Sequence, residues 1–207
     1  MKNLLPILFM ASCLFLSSCA STFKSINPQK IPFSYTENAA DVQFSYAYDV
    51  LSLKGNKKYV KKERKQNMRV VAVRITNNSE KALRLNENLK LIVGNNPTVP
   101  VDPTVVGQTI KQGTWIYLLY LPLNFTIGAT TTTNNYGQVE TTGGTTLPTG
   151  PIISLGNILV ASSSNKNFRT ELQQFNLIGK TIEPGQTVYG LLTLRGLTTD
   201  PIKFEVQ

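Results

Sequence analysis

The chain has 207 residues, 21 Lys and Arg against 12 Asp and Glu, a net charge of +9, and no histidine. Histidine is the commonest general base and metal ligand, and the two cysteines, Cys13 and Cys19, both fall near the N-terminus. His/Cys metal centres and His-activated nucleophiles are thereby excluded. The four Asp (Asp41, Asp49, Asp102, Asp200) form no close pair, and Asp102-Pro103 and Asp200-Pro201 read as turn openers, so the expectation is a non-enzyme with no catalytic residue, metal or cofactor.

Residues 1–3 carry one positive charge, and residues 4–16 are apolar, broken only by Pro6, Ser12 and Cys13. A run of this length suits a secretory signal of ~7–15 apolar residues, whereas crossing the hydrocarbon core takes ~20. It ends on Leu16-Ser17-Ser18-Cys19, which resembles the bacterial lipobox. The resemblance implies that 1–18 are a signal peptide and that Cys19 carries fatty acid such as palmitate. Ala20, in place of the Asp that retains such proteins at the inner membrane, implies the outer membrane. The lack of an acidic cluster behind it implies the periplasmic face. With Cys13 removed and Cys19 acylated, the mature chain holds no disulfide.

Residues 20–40 show little periodicity and are expected to be a tether. From Val42 the period is two, with Val42, Phe44, Tyr46, Tyr48 and Val50 on one face of a strand. Between Lys54 and Arg74 lie nine Lys or Arg against one acid, Glu63. Lys57, Lys58, Lys61, Lys62, Arg64 and Lys65 form either a solvated loop or an anion-binding hairpin tip. Outside the cytoplasm its partners would be anionic envelope polymers or lipid head groups, with no nucleic acid. Val71, Val73 and Ile75 mark a second strand, and Asn77-Asn78-Ser79 a turn whose side chains bond locally. Leu83, Leu85, Leu89, Leu91 and Val93 keep one parity around a break at residues 86–88.

Residues 115–129 are dense in apolar side chains, with Pro122 in their middle. They are either core or an exposed contact surface formed by Trp115, Tyr117, Tyr120 and Phe125. The core reading predicts that they pack with residues 152–160 and with Phe168, Leu172 and Phe175. It makes Trp115→Ala cost roughly 3–5 kcal/mol. Residues 130–150, rich in Thr, Gly and Asn, read as a mobile loop or loose hairpin. Pro151 opens one short helix, and Asn165 caps a second. Glu183-Pro184-Gly185-Gln186 is a turn, after which Val188, Gly190, Leu192 and Leu194, then Ile202, Phe204 and Val206, form the last strands.

The stretches Val71-Ala-Val-Arg-Ile-Thr-Asn-Asn-Ser-Glu-Lys-Ala-Leu-Arg-Leu85 and Ile182-Glu-Pro-Gly-Gln-Thr-Val-Tyr-Gly-Leu-Leu192 resemble the strand signatures of small immunoglobulin-like domains in bacterial lipoproteins. The expected fold is mainly β, an immunoglobulin-like antiparallel β-sandwich over 41–207. A partly helical insertion at about 99–182 separates its early and C-terminal strands. The expected role is that of a membrane-anchored accessory module meeting another envelope protein or an anionic envelope polymer. The alternative is a periplasmic carrier of a small apolar ligand or lipid.

Overall fold

The computed structural model describes residues 19–39 and 41–206, so the signal segment expected at 1–18 lies outside the described residues. In chain order the elements are β1 (Tyr35–Ala39), β2 (Val42–Ala47), α1 (Val50–Leu53), α2 (Lys57–Lys65), β3 (Met68–Asn77), β4 (Leu83–Arg84), β5 (Leu89–Val93), β6 (Asn96–Pro97) and α3 (Pro103–Thr109). There follow β7 (Phe125–Ile127), β8 (Thr130–Thr133), β9 (Val139–Thr142), β10 (Thr145–Leu147), α4 (Thr149–Gln174), β11 (Thr181–Ile182), β12 (Thr187–Arg195) and β13 (Ile202–Val206). Short 3-10 helices cover Pro28–Lys30 and Trp115–Tyr120. The chain divides into a larger unit, residues 23–112 with 164–206, and a smaller one, residues 19–22 with Gly113–Ser163.

The larger unit is built on an antiparallel sheet of order β1-β2-β3-β12. Side chains alternate across a strand, and β3 is apolar on both faces, so it feeds two cores. Val71, Val73 and Ile75 join Phe44, Tyr46, Leu192 and Leu194 in the first core. There they meet Leu89, Leu91 and Phe204 from the β13-β5-β6 sheet, with the Phe44 and Phe204 rings edge to face at 4.3 Å. Met68, Val70 and Ala72 point the other way, into a core shared with Val50, Leu51, Tyr59, Val106, Phe168 and Leu172. That second face is covered by helices. Strand and helix are close to balanced, so the architecture is mixed α/β and the mainly-β expectation is corrected.

The alternating strands stand where their pattern put them, as do the turns, with one correction. Val50, expected on the first strand, opens α1 and is buried in the second core, because the chain turns through a left-handed Asp49 after β2 ends. Asn77, fully buried, donates from Nδ2 to the carbonyls of Lys81 (2.8 Å) and Ile182 (2.9 Å) and accepts from the N–H and Oγ of Ser79. The turn at 183–186 is closed by Gln186 N–H on Glu183 O at 3.0 Å. Gly185 supplies the positive φ (73°) that follows Pro in a type II turn. Gly190 occupies an apolar position of β12 because a Cβ there would run into the Leu177 side chain, which fills the place itself.

Four local expectations are corrected. The basic run at 57–65 is helical, not a loop or hairpin tip. Its Lys, Arg and Glu are good helix formers, and its inward face needs only Tyr59 and Glu63, one turn apart. Residues 23–39 are no tether: Phe23, Ile26 and Ile31 are buried in the second core, and 35–39 pair with β2. Asp102 does more than open a turn, for its carboxylate caps α3 by accepting from Thr104 N–H (2.7 Å) and Val105 N–H (3.4 Å). Those bonds hold its carboxyl below the usual range.

The fourth correction concerns Asn165. The two expected helices are one, α4, because the polar residues that would break it are engaged elsewhere. Ser164 Oγ accepts from Phe23 N–H at 3.1 Å. Asn165 clamps Gln112, accepting from its N–H (2.8 Å) and donating to its carbonyl (3.0 Å), and also accepts from the Tyr59 hydroxyl. A side chain used this way does not cap.

In the smaller unit β7 pairs with β10 and β8 with β9, all antiparallel. The pairs Ile127↔Thr145 and Thr130↔Thr142 belong to two successive ladders of one ribbon, so of the mobile loop or loose hairpin expected at 130–150 it is the hairpin that stands. Every residue of its four strands is exposed. Pro151 sits in the first turn of α4, as its missing N–H allows. The predicted joint cluster of residues 115–129, 152–160 and the 168–175 face does not form. Phe168 and Leu172 are buried in the second core of the larger unit, with Phe175 packed against it.

Candidate functional site

Cys19 is exposed, and the chain just behind it is pinned: Ala20 N–H donates to Asn157 Oδ1 on α4 at 2.7 Å. The Asn157 amide in turn donates to Ile153 O at 2.9 Å, which fixes its orientation. Any group on Cys19 therefore leaves the molecule from the smaller unit, beside the first half of α4.

That unit also carries the apolar segment, and the structure places it outside, not in a core. Trp115 is 82% exposed and Phe125 65%. Of the four residues expected to share a contact surface, Tyr117 does not belong to it, being 1% exposed. Tyr120 is half-buried and stacked on Tyr117 with ring centroids 6.4 Å apart. The members that sequence reasoning missed are Leu119, Ile152 and Leu155, all exposed. Their signal was electrostatic: residues 113–163 contain a single charge, Glu140. An open pocket of about 170 Å³, lined by Thr114, Trp115, Leu118 and Ile158, lies on this surface. Because Trp115 is solvated, Trp115→Ala is expected to change stability by no more than about 0.5 kcal/mol. Denaturant melts check this; a loss of several kcal/mol would restore the core reading.

On the larger unit, α2 brings the basic residues together. Lys57, Lys61, Arg64 and Lys65 are exposed, and Lys58 and Lys62 half-buried. Lys57, Lys61 and Arg64 line an open cavity of about 360 Å³ with Ser52, Gly55 and Val60. The last turn holds Lys62, Arg64 and Lys65, where the helix dipole favours cations, so part of this charge has a local structural role.

Two buried carboxylates complete the polar chemistry. Glu63, turned inward from α2, accepts from Val70 N–H at 2.6 Å, and burial pushes its carboxyl up to about 7. Glu171 accepts from Ser25 Oγ (2.8 Å), Ile26 N–H (3.1 Å) and Asn27 N–H (2.6 Å). It lines an open cavity of about 320 Å³ with Phe23, Asn167, Thr170 and Gln174, but its oxygens already serve the N-terminal segment. Both carboxylates are thus occupied by backbone donors. No group of three or more Asp, Glu or Cys side chains placed to hold a metal occurs among the described residues.

No protein-family model, curated protein or solved structure matches this chain.

Proposed function

We propose that this chain is a non-enzymatic envelope lipoprotein, anchored through acylated Cys19 and serving as an accessory, partner-binding module. The observation that carries the reading is the apolar segment ending on Leu16-Ser17-Ser18-Cys19. The exposure of Cys19 is compatible with it. Ala20 supports the outer membrane as the destination. The immunoglobulin-like resemblance is retained for one half of the larger unit, where two antiparallel sheets face each other across the first core.

The carrier alternative has less support. The cavities of about 320 and 360 Å³ are open and lined by Glu171 and Asn167 in one case and by Lys57, Lys61 and Arg64 in the other. An apolar ligand needs enclosure by apolar walls.

Cys19→Ala is expected to abolish fatty-acid labelling and to release the protein from the membrane fraction. Several acyl chains, each contributing ~0.8 kcal/mol per buried CH₂, hold a protein firmly. Labelling that persists in the variant refutes the anchor.

A further inference from the structure

We infer that the smaller unit is itself a membrane-contact module, its apolar surface entering the bilayer in which the Cys19 acyl chains are seated. The inference rests on the lipoprotein reading above and adds a second, protein-made contact to it.

Three independent features converge on lipid as the occupant. The first is charge. Soluble surfaces are about a quarter to a third charged, yet residues 19–22 and 113–163 carry Glu140 alone. Every other charge of the chain except Lys2 lies in the larger unit's sequence. A protein partner is ordinarily met with a polar, hydrogen-bonding rim that includes charge; a bilayer penalises charge outright.

The second is exposure. Trp115, Leu119, Phe125, Ile127, Ile152 and Leu155 are all more than half exposed. They come from the 3-10 turn, the ribbon and α4, and a shared pocket lined by Trp115, Leu118 and Ile158 brings the 3-10 turn and α4 together. Within the ribbon, the register sorts the two faces. In the inner ladder Phe125, Ile127 and Leu147 share one face with Thr145, while Thr126 and Thr146 take the other; in the outer ladder Val139 and Glu140 lie on opposite faces. Apolar and polar residues so alternated are the pattern of strands that meet lipid on one side.

The third is continuity with the anchor. The Ala20–Asn157 hydrogen bond ties the residue next to Cys19 to the helical turns that carry Ile152, Ile153 and Leu155. Acyl chains leaving Cys19 start at this surface. The uncharged apolar surface adds a protein-made contact to those chains.

Trp115 is the chain's single tryptophan and therefore an internal reporter. The test reconstitutes the full, acylated protein into phosphatidylcholine vesicles with and without brominated acyl chains. Tryptophan emission is then read at low and high salt. The expected result is a blue-shifted emission that brominated lipid strongly quenches, equally at both salts because no charge takes part. Emission that stays at the wavelength of solvated indole, unquenched, overturns the inference. So does a blue shift that depends on protein concentration and ignores bromine, which would assign the surface to a second copy of the chain. Fatty-acid labelling is measured on the same sample. Labelled Cys19 with unquenched Trp115 sinks the contact and spares the anchor; quenched Trp115 on an unlabelled chain does the reverse.

Discussion

Glu63→Gln is expected to remove a pH dependence of stability that the native chain shows between about pH 4.5 and about pH 7. The Glu63 side chain is buried beneath α2, and desolvation disfavours its charged form, raising its pKa from 4.5 to about 7. Arg69 and Arg64 oppose the shift, as does the Val70 N–H, while Asp49 adds to it. In the folded chain Glu63 keeps its proton to near pH 7, and in the unfolded chain it loses it near 4.5. The folded state thus binds the extra proton, and stability falls as pH rises through that window. The loss is on the order of 3 kcal/mol, complete above the folded pKa. Glutamine keeps an oxygen for Val70 N–H and does not titrate, so the variant should hold its low-pH stability at pH 8. Denaturant midpoints taken across pH 4 to 8 decide the matter. A native profile that is flat, or a variant that declines in parallel with it, would show that Glu63 is ionised without cost.

Glu171→Ala is expected to cost about 3–5 kcal/mol and to loosen the segment from Phe23 to Ile31. One carboxylate there serves the hydroxyl of Ser25 and the N–H groups of Ile26 and Asn27. Ile26 is wholly buried, so its donor loses its protein acceptor once Glu171 is gone. Each stranded buried donor costs ~1–3 kcal/mol, and bonds to a charged acceptor are stronger than neutral ones. Phe23 is part of the same arrangement: its ring packs at 5.3 Å from both Tyr59 and Phe168. Hydrogen exchange should therefore rise at residues 25–27 in the variant, with Glu171→Gln in between because it keeps an acceptor. A midpoint unmoved by the alanine variant, with 25–27 still protected, would mean that apolar packing alone holds the segment.

Strand identity and turn chemistry were legible in the chain because both are local. Alternation at Val42–Tyr48, Val71–Ile75, Leu89–Val93 and Ile202–Val206 depends on neighbours two residues apart. The Pro184-Gly185 corner is equally local, its backbone angles set by the residues themselves, and Asn77 bonds Ser79 and Lys81 within its own turn. Helix α2 was not legible, since nine residues with only Tyr59 and Glu63 fully buried and Val60 packed beside them show no apolar period. Its helicity depends on a sheet face that Met68, Val70 and Ala72 prepare for it.

Coverage is the other property that residue order did not carry. Residues 113–163 contain both apolar richness and a near-absence of charge, and the sequence alone determined that. Whether Trp115 and Phe125 are wrapped or bare depends on which distant segments reach them. Phe168 and Leu172, at helical spacing that suited either surface, are drawn into the second core with Tyr59 and Phe23, and the apolar segment keeps its face to the outside. Likewise the sequence marked Glu63, Asn165 and Glu171 only as polar residues. Tertiary structure alone buries them against backbone donors and acceptors, because an unpaired buried N–H or C=O costs more than ordering one side chain to satisfy it.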